Sequence, residues 1–337
     1  MSHQSVPNPK PGIAFSRGFT LVEMLVSITV LVIIVVLVSQ LTGAATKTVT
    51  GSRKHIDADT QARLVFNRMA IDFSNMIQRP DLDYSLFKQP SGTLPPNYGS
   101  TAIGANLQAG GSAPVNDQLA FYAKGAGFYS GTTPPPLSTK AAMTLVGYNM
   151  AADPYLNRSA LQRMSLGLGW EPVNGFPNIA YLPAMISNQF SNPFTTTSYW
   201  DTVGDQVFRF EYTYLLKPNL TNPAVSYSSR LSNTPYWDAN TNKMSPTIPH
   251  TCINGFQDVA AIVVCIAVLD STSNVILANG NTSLANALPD AAEGADIAST
   301  WIPIVTSGTF AKSAGIPQEA ASSVRIYERY FYLQPPQ

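Results

Sequence analysis

The chain has 337 residues, enough for one large or two ordinary domains. Charged residues make up 12% of it, about half the usual ~25%, and 20 Lys and Arg balance 20 Asp and Glu. That balance leaves no basic patch for a nucleic-acid backbone, and the surface has to be built from Asn, Ser, Thr, Gln, Gly and Pro, as suits an exported protein.

Residues 1–18 carry Lys10 and Arg17 as cations, with Pro7, Pro9 and Pro11 opposing regular structure. From Phe19 to Leu41 the chain is apolar, and Glu23 is its only charged residue. A membrane-spanning helix needs about 20 such residues. A secretory signal has a shorter apolar region, about 7–15 residues, with its cleavage site on the far side. Here Gly18 sits on the near side, directly after Arg17. The cationic flank stays in the cytoplasm, so residues from about 44 onward are expected to be exported. Glu23 costs on the order of 2–4 kcal/mol in hydrocarbon. Either it reaches back to the interface or another molecule supplies a cationic partner.

The helical period continues past Leu41. Ala58, Ala62, Val65, Phe66, Met69, Phe73, Met76 and Ile77 recur at spacings of three and four between polar residues. This stripe predicts a core-facing helix ending at Arg79-Pro80, with Gly43 and Gly51 as soft points. Residues 80–118 are rich in Pro, Gly, Ser and Asn and predict a long irregular connection.

Short strands are expected next, at 118–124, 141–150 and 160–166, the last two as a hairpin. Residues 167–200 read as loop, with a short helix at 181–190. Residues 205–216 read as a half-buried strand and 217–250 as an insertion. Residues 256–270 form the most apolar stretch outside the membrane run, expected as a central strand buried on both faces. A short helix at 285–299, broken at Pro289 and Gly294, and a terminal strand at 324–333 complete the chain. The sum is an α+β fold: one long helix followed by a mainly antiparallel sheet with long loops.

No catalytic constellation is legible, so the chain is expected not to be an enzyme and to use no cofactor. His3, His55 and His250 lack metal-ligand spacing, and no dense Asp/Asn loop suggests calcium. Asp258 and Asp270 bracket the apolar strand about 40 Å apart if extended, and read as solvated strand ends. Cys252 and Cys265 are too few for a disulfide scaffold or a structural zinc site. In an exported domain they can form one bridge; the other reading is two independent buried residues.

Gly18-Phe19-Thr20-Leu21-Val22-Glu23 resembles the processing and methylation motif of type IV prepilins and type II secretion pseudopilins. The resemblance implies cleavage between Gly18 and Phe19, methylation of the Phe19 amine, and pairing of Glu23 with the terminal amine of a neighbouring subunit. An amine and a carboxylate are each expensive in lipid alone and tolerable when paired. The implied layout is a leader at 1–18, an assembly helix at 19–41, its amphipathic continuation at 42–78 and a globular domain at 79–337. Implied partners are a prepilin peptidase, sibling pilin-like subunits and an assembly platform in the inner membrane. The globular domain would lie in the periplasm, or outside the cell after assembly. The Val146-Gly147-Tyr148 strand and the Arg-bearing strand after it resemble larger minor pseudopilins. Together with the terminal RIYERYFYL they are also similar to the C-type pilin-like cassette proteins of Verrucomicrobia. The residues alone leave a second reading open: a membrane-anchored exported binding protein that does not polymerise, with Glu23 incidental.

Overall fold

The structure is a computed structural model. It describes residues 20–78, 85–87, 116–125, 143–153, 158–168, 170–171, 182–183, 197–218, 230–232, 259–277, 282–292 and 294–333. The chain divides into two units, Met1–Ser52 and Arg53–Gln337.

Helix α1 runs from Leu21 to Ser74. It passes through Gly43 and Gly51 without a break, so neither is a soft point in this structure. Its hydroxyls bond back one turn: Ser27 to Glu23, Thr29 to Leu25, Thr42 to Val38 and Thr46 to Thr42, all at 2.8–2.9 Å. These hydroxyls are therefore satisfied inside the helix, as lipid requires. The helix stops before Gln78. Ser74 Oγ and Asn75 Nδ2 both donate to the Ile71 carbonyl at 2.8 Å, competing with the helical ladder. Met76 then bridges to Ala123, and the Ile77 amide donates to the Tyr122 carbonyl. The expected last turn has become a strand-like attachment to a sheet.

The second unit contains two main antiparallel sheets. The first orders β1 (Ser85–Phe87), β2 (Gln118–Lys124), β3 (Met143–Asp153), β4 (Arg158–Leu168) and β7 (Trp200–Gly204) side by side. The predicted hairpin is β3–β4, paired without a bulge from Met143–Leu168 to Asp153–Arg158. The second sheet orders β11 (Arg325–Tyr332), β10 (Val259–Val268), β8 (Val207–Leu216) and β9 (Leu231–Ser232). A small pair joins β5 (Trp170–Glu171) to β6 (Leu182–Pro183). Leu182 and Pro183 are thus strand where a helix was expected; residues 184–190 lie outside the described residues.

Alternation along β10 separates two cores. Ile262, Val264, Ile266 and Val268 join Val65, Phe66, Met69 and Phe73 of α1 and inward residues of both sheets. Cys265, Ala267 and Leu269 point the other way, into a second cluster. That cluster is closed by α2 (Thr282–Asn286), α3 (Ile297–Thr306), α4 (Phe310–Ala314) and α5 (Gln318–Ser323). The helical layer is why β10 is buried on both faces, as expected. It is also why β8, expected half-buried, is buried on both faces.

Within the layer Arg209 of β8 is wholly buried. It is bound to Asp290, Glu211 and the Leu288 carbonyl and stacked over Trp301 at 5.2 Å. Pro303 lies inside α3 and no charged residue does, which obscured this helix in sequence. Its start was signalled by Asp296, whose carboxylate accepts from the Ser299 amide at 2.8 Å. A close approach explains Gly204, where a Cβ would meet Val207 at 2.8 Å and Val65 of α1 at 3.0 Å.

Candidate assembly site

The first unit begins with a capping box. Glu23 Oε2 accepts from the Thr20 amide at 2.9 Å and from the Thr20 hydroxyl at 3.0 Å, while the Glu23 amide donates to Thr20 Oγ1 at 3.2 Å. Thr20 and Glu23 three residues on have the spacing that satisfies the free amides of a helix start. From sequence, Glu23 either reaches back to the interface or takes a cationic partner from another molecule. The T-x-x-E pattern was legible and gives it a local role as well. Both bonds fall on Oε2, which leaves Oε1 without a partner among the described residues. From Leu21 to Leu41 the large apolar side chains are all exposed, so this surface needs lipid or other helices to cover it. The helix is long and apolar enough to cross a membrane. Gly18 and Phe19 lie outside the described residues.

In the second unit α1 is gripped by a buried polar clamp. Asp72 on its inner face receives both ends of the Arg163 guanidinium, Nε at 2.6 Å and Nη2 at 2.9 Å, and the hydroxyl of Tyr148. Arg68, one turn earlier, stands 3.6 Å from the same carboxylate. Burial, reinforced by the Asp72 charge, pushes the Tyr148 hydroxyl well above its ordinary value, so it remains a donor. Tyr148 and Arg163 face each other across β3 and β4.

Nearer its entry into this unit, α1 is tied by a polar seam. Lys54 lies 3.4 Å from Asp270, Ser271 donates to Asp57 at 2.5 Å, and Tyr327 donates to Asp59 at 2.5 Å. Asp270 was expected to be a solvated strand end, but it is fully buried. Burial would raise its carboxyl, yet bonds from Ser273 together with Lys54 hold it at about 2.

The prokaryotic N-terminal methylation motif matches residues 14–39, which include Gly18, Phe19 and Glu23. The chain therefore carries the N-terminal motif of type IV pilin-like proteins. No curated protein and no solved structure matches it. The motif and the apolar N-terminal helix fit a single-pass membrane anchor.

The outer face of α1 in this pilin-like chain has a pattern of its own. Ile56, Leu64 and Ile71 are 64%, 60% and 54% exposed. At 3.6 residues per turn they fall in one sector about 80° wide, opposite the buried Ala58, Ala62, Val65 and Met69. The half of α1 in the second unit thus carries two apolar stripes, one filled by the sheets and one open.

The remaining candidates form no site among the described residues. Cys265 is buried with a free thiol, which burial raises well above its ordinary range. Cys252, His3, His250 and Asp258 lie outside the described residues. His55 is exposed, its Nε2 2.9 Å from Arg325. Among the described residues no group of three or more His, Cys, Asp or Glu side chains is placed to hold a metal ion.

Glu328 on β11 and Asp296 at the start of α3 form a carboxyl pair. Burial, and then the Asp296 carboxylate beside it, raise Glu328 to about 7. The Ala298 amide donates to Glu328 at 3.1 Å and the Tyr330 hydroxyl to Asp296 at 3.4 Å.

Replacing Asp72 with Asn strands a buried guanidinium, and chemical denaturation of the protein is expected to show a loss of about 3–5 kcal/mol. The carboxyl pair sets a pH dependence. The folded state keeps a proton on Glu328 that the unfolded chain releases near 4.5. Stability therefore falls as pH rises from about 4.5 through about 7. Asp296 is held below its usual 3.8 and acts only at lower pH. Glu328→Gln is expected to flatten the fall between about pH 5.5 and 8 in thermal melts and to raise the melting temperature at about pH 8.

Proposed function

We propose that the chain is a structural, non-catalytic subunit of a type IV pilus-like or secretion-type filament, a minor pilin or pseudopilin. On this reading a peptidase cuts between Gly18 and Phe19 and methylates Phe19, and residues 19–41 hold the subunit in the inner membrane until assembly draws it out. The methylation motif matched over residues 14–39 carries the proposal. Sibling pilin-like subunits, of the kind the Verrucomicrobia cassette resemblance implies, and an inner-membrane assembly platform are the proposed partners. The globular unit is then periplasmic, or extracellular after assembly.

Two features of α1 support assembly. Oε1 of Glu23 is free to meet a neighbour's amine while Oε2 keeps the cap. The open row Ile56–Leu64–Ile71 gives the second half of α1 an apolar face for another subunit. The capping box also favours the second reading, an anchored exported binding protein that does not polymerise, because it gives Glu23 a use with no partner.

Mass analysis of the mature N-terminus is expected to find a chain beginning at N-methylated Phe19; one that retains residues 1–18 overturns the processing. Oxidative cross-linking of Leu64→Cys in membranes from cells that express the sibling subunits separates the two readings. Covalent species above the monomer mass are expected for the filament subunit, and monomer alone supports the anchored protein.

A further inference from the structure

β11 ends the second sheet, and its pairing with β10 is regular over all eight residues. The Leu333 amide donates to the Ala260 carbonyl. In an antiparallel ladder hydrogen-bonded pairs alternate, so Arg325, Tyr327, Arg329 and Phe331 turn their backbone groups toward β10. Ile326, Glu328, Tyr330 and Tyr332 turn theirs outward, and these have no partner among the described residues. Natural edge strands are usually blunted by proline, a bulge, short length or guarding charges. β11 has no proline and no bulge. Its charged side chains are turned to the protein's own surface: Arg325 to His55, Arg329 to Asn67 and over the Phe331 ring, and Glu328 to the α3 amide.

Each side of this edge carries a recognition feature. On the α1 side Arg325 and Arg329 stand four residues apart with no carboxylate in ion-pair range among the described residues; Arg325 donates to the Ser322 and Val324 carbonyls, and Asp59 is taken by Tyr327. On the other side a groove of about 440 Å³ opens beside the start of β11, lined by Ile302, Val305, Ala321, Val324 and Ile326, with Arg325 at its rim. Ile302 is 48% exposed.

We infer that the free edge of β11 is a docking strand for an extended segment of another polypeptide, with two carboxylates on one face and small apolar side chains on the other. Main-chain bonds to Ile326, Glu328, Tyr330 and Tyr332 supply affinity, and side chains alternating between the arginines and the groove supply specificity. A second copy of β11 fits poorly. The two antiparallel registers with most overlap set Glu328 against Glu328 or Arg329 against Arg329, and like charges directly opposite are destabilising. The inference uses the second unit alone and does not depend on filament assembly.

Amide hydrogen exchange on the full chain in detergent micelles tests it. The probe is the blocked peptide Thr-Glu-Val-Thr-Val-Glu-Thr, with the same peptide carrying Lys for Glu as control. At about ten times the dissociation constant of the acidic peptide, exchange at Ile326, Glu328, Tyr330 and Tyr332 is expected to slow about tenfold. The Lys peptide should leave these four amides unchanged, and a protein carrying Arg325→Glu and Arg329→Glu should prefer the Lys peptide. Three results would overturn the inference: no protection by the acidic peptide, equal protection by both peptides, or four amides already protected in the free protein. If that last protection grows with protein concentration, the edge pairs with a second copy instead.

Discussion

The buried carboxylate of Asp72 is the contact on which the globular unit turns. It sits on the one face of α1 that cannot reach water, and two strands bring it partners of the right kind. Arg163 approaches as a fork and meets both oxygens, the geometry that makes guanidinium–carboxylate pairs strong. Tyr148 adds a third bond to the same carboxylate. Removing two charges from water is expensive, and a buried pair often adds little net stability over apolar packing. Its effect is on register. An apolar stripe tolerates sliding by a turn along a sheet, whereas a carboxylate that must meet β3 and β4 at one point does not.

The same restriction explains how the rest is arranged. With α1 held at Asp72, its stripe fills the first core and its exit is drawn into the edge of β2 through Met76. The far face of the second sheet is then left to be covered, and α2 to α5 do so. Arg209, Asp290 and Trp301 join β8 to that layer as Asp72 joins α1 to the hairpin. Both apolar interfaces in this unit carry buried ionic contacts.

The N-terminal helix follows other physics. The apolar side chains of its first half are exposed, and its cap and several hydroxyls are satisfied from within, by the Thr20–Glu23 bonds and by hydroxyls bonded back one turn. A carboxylate that caps its own helix with one oxygen is less costly to hold near lipid than a bare one. The cap therefore gives Glu23 a local use beside the intersubunit pairing proposed for it.

The sequence by itself determined the elements whose signal is local. The length of the apolar run, the glycine before it and the glutamate near its start define the apolar helix and its motif. Period 3.6 marked Ala58 to Met76, and period 2 or continuous apolarity marked β2, β3, β4, β8, β10 and β11. Only the tertiary structure decided which faces are covered and which polar residues are buried. Asp72 looked like one more charge on a solvated helix face, and Asp270 like a strand end, because the partners Arg163 and Lys54 are distant in sequence. Helices α3 to α5 went unread because short, nearly uncharged helices take their stability from the sheet they cover rather than from their own periodicity. Which strand ends a sheet, and so leaves its backbone groups open, depends on strand order, and no local pattern of side chains encodes that.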